Sequence, residues 1–246
     1  AVGTLGTEGL ARAATEIAAV GIAGTLLNTW GIERSTATRA ALLLSSINVI
    51  TPVLASVAGA TAEDRNVPAR TWIGCCASFA ATAYATAGGG SGSFGGLREG
   101  DVAVIGAAVC YSFVKIRVAA AARAYPPETF AAARLTVAAA LAWVVVLLGS
   151  VAGTGLAAQA DAAAGLPAQA WGLLVFSALS SGVLATVSQA AGQRTVPPAQ
   201  AQTIYALVPL IAAVYDQVFL QEPLEDRELV AGVVILLSAA LSTQRD

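Results

Sequence analysis

The chain contains no histidine, and acidic and basic residues make up only 11% of its 246 positions. A soluble domain carries roughly 25% charged residues, because its surface must face water. Here the charge is too sparse to cover such a surface, and 57% of the residues are hydrophobic. The missing histidine also removes the commonest metal ligand and the commonest general base. The composition therefore predicts a protein that presents much of its surface to lipid.

Other shortages exclude further classes of function. The net charge of −2 offers no basic surface for a nucleic acid. Cys75, Cys76 and Cys110 match neither the spacing of a zinc site nor a disulfide framework. The sequence has no G-x-S-x-G nucleophile elbow and no H-E-x-x-H helix. We therefore expect no enzyme, no metal, no cofactor and no nucleic-acid partner.

Long hydrophobic runs dominate what remains. A helix needs about 20 mostly apolar residues to cross the hydrocarbon core of a bilayer. Backbone groups in lipid must be hydrogen-bonded within their own segment, which favours helices. Eight such runs occur, at about 9–29, 35–60, 68–87, 100–122, 127–150, 168–191, 198–220 and 228–244. The sequence therefore predicts an all-α fold, a polytopic transmembrane helix bundle, with the lipid bilayer as its first partner.

Landmarks of the second and third runs recur in the seventh and eighth at a spacing of 157–159 residues. The pairs are Pro52 and Pro209, Glu63 and Glu222, and Gly74 and Gly232. An odd number of spans separates the two copies, so they have opposite orientations and form an inverted repeat. The same offset places the counterparts of the fourth and fifth runs before residue 1. We therefore expect eight helices of a ten-helix protein, with the first two absent and no initiating methionine.

The residues 198–243 resemble the C-terminal end of an EamA repeat of the drug/metabolite transporter superfamily. The likeness lies in Leu207-Val208-Pro209, in Glu222 within a short loop, and in Gly232 at the start of the last helix. Residues 31–41 are similar to the matching part of a first repeat, and Gly100-Asp101 with Cys110-Tyr111 to the start of a second.

The resemblance implies ten helices, cytoplasmic termini, and export or exchange of small metabolites. On this division of the chain, residues 1–87 form an incomplete first repeat of three helices. Residues 88–98 are a linker rich in glycine and serine, and residues 99–246 form a second repeat of five helices.

Basic residues are unevenly divided between the two sides of the predicted bundle. Nine fall in loops and helix ends on the side of the C-terminus, and four fall on the other side. Such an excess indicates the cytoplasmic side, or the stromal side in a plastid. We therefore expect a multi-pass integral membrane protein with a cytoplasmic or stromal C-terminus, in a membrane that the sequence does not identify.

Polar residues within the second and seventh runs are the first candidates for substrate binding. The second run carries Ser45, Asn48 and Pro52, and the seventh carries Gln202, Tyr205 and Pro209 at the same helical spacing. Each trio falls on one face of its helix, and polar groups facing lipid would be costly. Two interpretations stay open: the faces line a polar cavity, or they pack helices together through hydrogen bonds. The prolines each free a backbone carbonyl and favour a kink, as expected of a gate.

Tyr111 and Lys115 are two further candidates for substrate binding, and Asp216 is a candidate for coupling. Tyr111 and Lys115 lie one turn apart in the fourth run, where Lys115 either attracts an anionic substrate or extends to the cytoplasmic interface. Asp216 is an acid inside the seventh run and a candidate for coupling transport to protons.

Taken together, these features favour a secondary transporter that moves a small metabolite by alternating access between the inverted repeats. A non-transporting membrane scaffold or assembly protein is the alternative, and an intramembrane enzyme is less favoured because its catalytic groups are missing. A homodimer is compatible with the sequence.

Overall fold

The computed structural model describes residues 6–35, 37–86, 99–149, 160–161, 163–215 and 226–243. None of these residues lies in a β-strand. The predicted linker 88–98, Asp216 and Glu222 lie outside the described residues.

Helices account for nearly all of the described chain. In chain order they are α1 (Thr7–Glu33), α2 (Ala37–Leu44), α3 (Ile47–Ala58), α4 (Ala62–Arg65), α5 (Ala69–Thr86), α6 (Glu99–Ala124), α7 (Pro127–Gly149), α8 (Ala168–Ser177), a π-helical stretch (Ala178–Leu184), α9 (Ala185–Gln193), α10 (Pro198–Tyr205), α11 (Val208–Tyr215) and α12 (Asp226–Thr243).

The all-α fold predicted from the hydrophobic runs is confirmed, because within the described residues each run falls on one helix or on consecutive helical elements. Two runs are divided. The second breaks between α2 and α3, before Pro52, and the seventh breaks between α10 and α11, before Pro209. Proline has no N–H for its helix and crowds the preceding turn, which explains the break at Ala206–Leu207 just before Pro209. The break at Ser45–Ser46 lies more than one turn before Pro52, and the proline does not explain it.

Several helices are suited to cross a bilayer. Within the described residues, five are long and apolar enough: Thr7–Glu33, Arg39–Ala58, Glu99–Ala124, Pro127–Gly149 and Ala168–Gln193. Large apolar side chains on the last of these are exposed, with Leu173 and Phe176 each at 70%. Such exposure is unfavourable in water and expected in lipid. The chain is therefore an integral, multi-pass membrane protein.

The helices separate into two compact units. Unit one comprises Ala1–Ile22 and Ala121–Thr195. Within it, α7 packs against α9, and Arg134 donates a hydrogen bond of 3.2 Å to the side-chain oxygen of Gln189. The bond gives the half-buried Arg134 side chain a polar partner on the neighbouring helix.

Unit two comprises Ala23–Ala120 and Val196–Asp246, and its core is the contact between α5 and α12. Gly74 allows the two backbones to approach, because a Cβ atom at this position would lie only 2.9 Å from the carbonyl oxygen of Ser238. In the same unit α10 packs against α3, α5 and α12. The hydroxyls of Thr203 and Ser242, 2.5 Å apart, join α10 to α12. Close packing and interhelical hydrogen bonds are the usual means of joining helices in lipid.

The segment after α3 is more regular than the sequence indicates. Residues 62–65 fall between the second and third hydrophobic runs, and they form the short helix α4. Thr61 and Asp64 form a reciprocal capping box, in which each side chain accepts a hydrogen bond from the other residue's backbone N–H. This motif satisfies two N–H groups at the helix start and so makes a single turn stable.

Candidate functional site

A chain of polar contacts links α3, α10 and α6 inside unit two. The Nε2 of Gln202 donates a hydrogen bond of 2.6 Å to the Oδ1 of Asn48. The Oε1 of Gln202 accepts a hydrogen bond from the ammonium of Lys115. The same ammonium lies 5.1 Å from the centre of the Tyr205 ring, within cation–π range. We call Asn48, Lys115, Gln202 and Tyr205 the amide–lysine cluster.

The amides of the cluster lie in the buried interior of the unit. Asn48 is 6% exposed and Gln202 is 4% exposed, so their amides are shielded from solvent. Lys115 stands nine residues before the end of α6, roughly 14 Å at the rise of an α-helix. Its side chain contacts α10, whereas a snorkelling lysine would extend along its own helix toward the interface.

A second interhelical hydrogen bond runs beside the cluster. Thr51 donates to the hydroxyl of Ser112 over 3.1 Å, and both residues are fully buried. Neither was singled out from the sequence. Thr51 follows Asn48 by three residues and Ser112 precedes Lys115 by three, so helical spacing alone could have placed both on the cluster's faces.

Two of the predicted substrate residues are directed elsewhere. Ser45 lies at the break between α2 and α3, and its hydroxyl donates to the backbone oxygen of Leu42 over 2.6 Å. The hydroxyl of Tyr111 donates to the hydroxyl of Thr25 in α1 over 3.2 Å. The cluster therefore contains four of the six residues predicted for substrate binding, and the roles of all six stay predictions.

The predicted gating residues occupy helical positions. Pro52 is buried within α3, and Pro209 is the second residue of α11. Each lies four residues after a cluster member, Asn48 or Tyr205. A proline cannot supply the N–H that would normally bond the carbonyl four residues before it. The carbonyls of Asn48 and Tyr205 therefore receive no helical hydrogen bond from the residue four positions later.

A buried ion pair, which the sequence did not reveal, joins the start of α2 to the first turn of α6. The Nε and Nη2 atoms of Arg39 donate to the two carboxylate oxygens of Asp101 over 2.9 and 2.5 Å. Ser35 donates a third hydrogen bond, of 3.1 Å, to the same carboxylate. The side chain of Asp101 is fully buried and that of Arg39 is 10% exposed. This bidentate geometry is the strong form of an arginine–carboxylate pair.

A separate polar cavity of about 250 Å³ opens beside the first turns of α5 and α10. Its lining is formed by Glu63, Asp64, Asn66, Val67, Pro68, Arg70, Thr71, Pro197, Ala199 and Gln200. It includes none of the residues predicted for substrate binding. Its charged lining residues are of both signs, so it has no clear electrostatic preference for one class of ligand.

Comparisons with known proteins identify one protein family and a solved structure that are similar to this chain. The model of the EamA-like transporter family matches residues 98–244, more than half of the chain. One solved crystal structure of a protein is similar to this chain with a TM-score of 0.69 and 16% identity, and the similarity covers 98% of this chain and 88% of the other. At that identity the similarity indicates a shared fold only. No curated protein matches the sequence.

Proposed function

Because the chain belongs to the EamA-like transporter family, we propose that it is a secondary transporter that moves a small metabolite across its membrane by alternating access. The single observation that carries the proposal is the amide–lysine cluster. It places two amides, one ammonium and one aromatic ring where three helices meet inside a membrane protein. Polar and ionisable groups inside a membrane protein are energetically costly. They almost always face the interior of the bundle, and they mark substrate or ion pathways.

The origin of the cluster's residues supports this assignment. Asn48 comes from the segment predicted to be the first repeat, and Lys115, Gln202 and Tyr205 come from the second. Transporters built from inverted repeats bind substrate where the two repeats meet, near the middle of the bilayer. A cluster that draws side chains from both segments is the arrangement expected of such a site.

Packing in unit two supports an inverted repeat with residues 1–87 and 99–246 as its two copies. The third and eighth hydrophobic runs are predicted counterparts, and their helices α5 and α12 pack together. The second and seventh runs are also counterparts, and their helices α3 and α10 pack together. Elements close to a pseudo-two-fold axis contact their own copies, so both contacts are expected if the axis passes between them.

The broken helices offer a means of opening and closing the site. The breaks before Pro52 and Pro209 interrupt the two helices that carry Asn48 and Tyr205. A break concentrates bending at a few residues, as hinge motions require. We propose that the halves of each helix tilt about these breaks and expose the cluster to one side of the membrane at a time. The C-terminus would face the cytoplasm, or the stroma in a plastid.

The test is flux through the purified protein in liposomes loaded with mixed metabolites. We expect Asn48→Ala and Tyr205→Phe each to lower flux about tenfold or more, because each removes a polar group from the site. Thr136→Ala is the control, since the Thr136 hydroxyl bonds only the backbone oxygen of Ala132 and is exposed. Unchanged flux in both cluster variants, with normal folding, would refute the site. Absence of flux from the parent protein would favour the scaffold alternative.

A further inference from the structure

The amide–lysine cluster holds a positive charge, and none of the acidic residues that the structure describes forms an ion pair with it. From this we infer that the substrate is an organic monoanion, and that its negative group binds the Lys115 ammonium. The inference rests on the proposed function, which it extends from a small metabolite to a chemical class.

Within the part of the chain that the structure describes, the ammonium has polar contacts but no counter-ion. It donates to Gln202 and lies over the ring of Tyr205. No carboxylate among the described residues lies within the 4.0 Å of an ion pair with it. An ammonium carries three N–H donors, and Gln202 accepts one of them. The contacts therefore position the charge and leave donors for a ligand.

The contacts of Arg39 show how this protein neutralises a buried cation that has a structural role. Its guanidinium binds both carboxylate oxygens of Asp101, and Ser35 completes the site. Lys115 lies in the same unit, yet in place of a carboxylate it contacts an amide whose other end is held by Asn48. Burying a charge without a counter-ion is costly. A bound anion would remove that cost, and this gives the substrate part of its affinity.

The single positive charge of the cluster predicts which class of anion binds there. One ammonium balances one negative charge, such as that of a carboxylate. A phosphate monoester carries about −1.5 to −2 charges at neutral pH, so binding it here would leave excess negative charge in a poorly solvated site. The remaining members of the cluster, Asn48, Gln202 and Tyr205, are uncharged and supply no second cation. The site thus favours a monocarboxylate over a phosphate ester.

Chemical modification of Lys115 tests this directly, because it is the only lysine in the chain. The purified protein is reductively methylated in detergent, and the Lys115 peptide is quantified by mass spectrometry. Acetate, lactate and benzoate are compared with the neutral lactamide and benzamide and with glycerol 3-phosphate, at equal ionic strength in sodium chloride. N-acetyl-lysine in each tube reports any change in the reagent.

We expect at least one of the three monocarboxylates to slow the methylation of Lys115 about tenfold at ten times its dissociation constant. Its neutral amide and glycerol 3-phosphate should have little effect. Protection by the amides equal to that by the acids would overturn the inference. Stronger protection by the phosphate ester, or no protection by any of the three acids, would also overturn it.

A carboxylate introduced by mutation provides a second test. Gln202→Glu places an anion next to Lys115 and should abolish protection by the acids. Gln189→Glu is the matched control, because Gln189 bonds to Arg134 instead, and protection should persist. Equal protection in both variants would refute a counter-ion role for the substrate.

Failure of this inference can be separated from failure of the proposed function. If Asn48→Ala and Tyr205→Phe abolish flux but neutral molecules are carried as well as acids, the transport site stands and the monoanion class is wrong. If those variants leave flux unchanged, the proposed site is wrong, and the inference that rests on it falls with it.

Discussion

Breaking the ion pair between Arg39 and Asp101 should cost more stability than removing both charges together. Asp101→Ala leaves the Arg39 guanidinium, whose side chain is 10% exposed, without its two carboxylate contacts. Loss of one partner from a buried pair typically costs about 3–5 kcal/mol. Replacing Arg39 by Met in the same protein removes the stranded charge and should recover about 2–3 kcal/mol of that loss as coupling energy.

The four proteins of this double-mutant cycle can be unfolded reversibly with sodium dodecyl sulfate in mixed micelles and followed by circular dichroism. A second cycle on Glu33 and Arg34 is the control, because those side chains are 66% and 45% exposed and lie 3.4 Å apart. Their coupling should stay below about 1 kcal/mol, as for other exposed pairs. A coupling between Arg39 and Asp101 no larger than the control would show that the buried geometry contributes nothing specific.

Two further results follow from packing and topology. Gly31→Ala should lower the free energy of unfolding by about 1–3 kcal/mol, because the new Cβ would lie 2.7 Å from Val104 and 2.8 Å from the backbone oxygen of Gly100. Gly106→Ala, which meets its nearest atom at 3.5 Å, should be nearly neutral in the same unfolding assay. Glu63→Cys and Arg227→Cys should react with membrane-impermeant maleimides from opposite faces of the bilayer. Labelling from one face would contradict the inverted repeat.

The positions of the helices could be predicted because the bilayer fixes their length. An apolar run of 20 or more residues with few charges has almost no other stable conformation in lipid. The breaks within two of these runs were harder to locate, since Ser45–Ser46 and Ala206–Leu207 each lie inside a run that is apolar overall. Pro52 and Pro209 indicated that a kink would occur, but the interruptions end six residues before Pro52 and two residues before Pro209.

Helical spacing identified the cluster only in part. It predicts which face of a helix a side chain lies on, but not which residue of a neighbouring helix that side chain contacts. Tyr111 and Lys115 are one turn apart on α6, yet one bonds to Thr25 in α1 and the other to Gln202 in α10. A helix surrounded by neighbours has more than one polar face, and long side chains on adjacent positions can reach different helices. Spacing within one helix could not distinguish these outcomes.

The ion pair of Arg39 and Asp101 lies beyond sequence reasoning for a different reason. The two residues are 62 positions apart, and each stands near a helix end, where a charged side chain is ordinarily solvated. Nothing in either local pattern shows that the two helix ends meet. Only the tertiary fold shows that they form a buried pair.

The contrast between these two cations connects the fold to transport. A carboxylate beside Lys115 would neutralise it in every conformation, and the protein would then gain nothing from binding an anion. An amide partner holds the ammonium in place without cancelling its charge, so the site remains incomplete until a substrate arrives. A ligand shifts a conformational equilibrium only by the difference in its affinity for the two states. An anion that supplies the missing charge in an occluded state, where the local dielectric is low, would provide that difference, and its binding would favour closure.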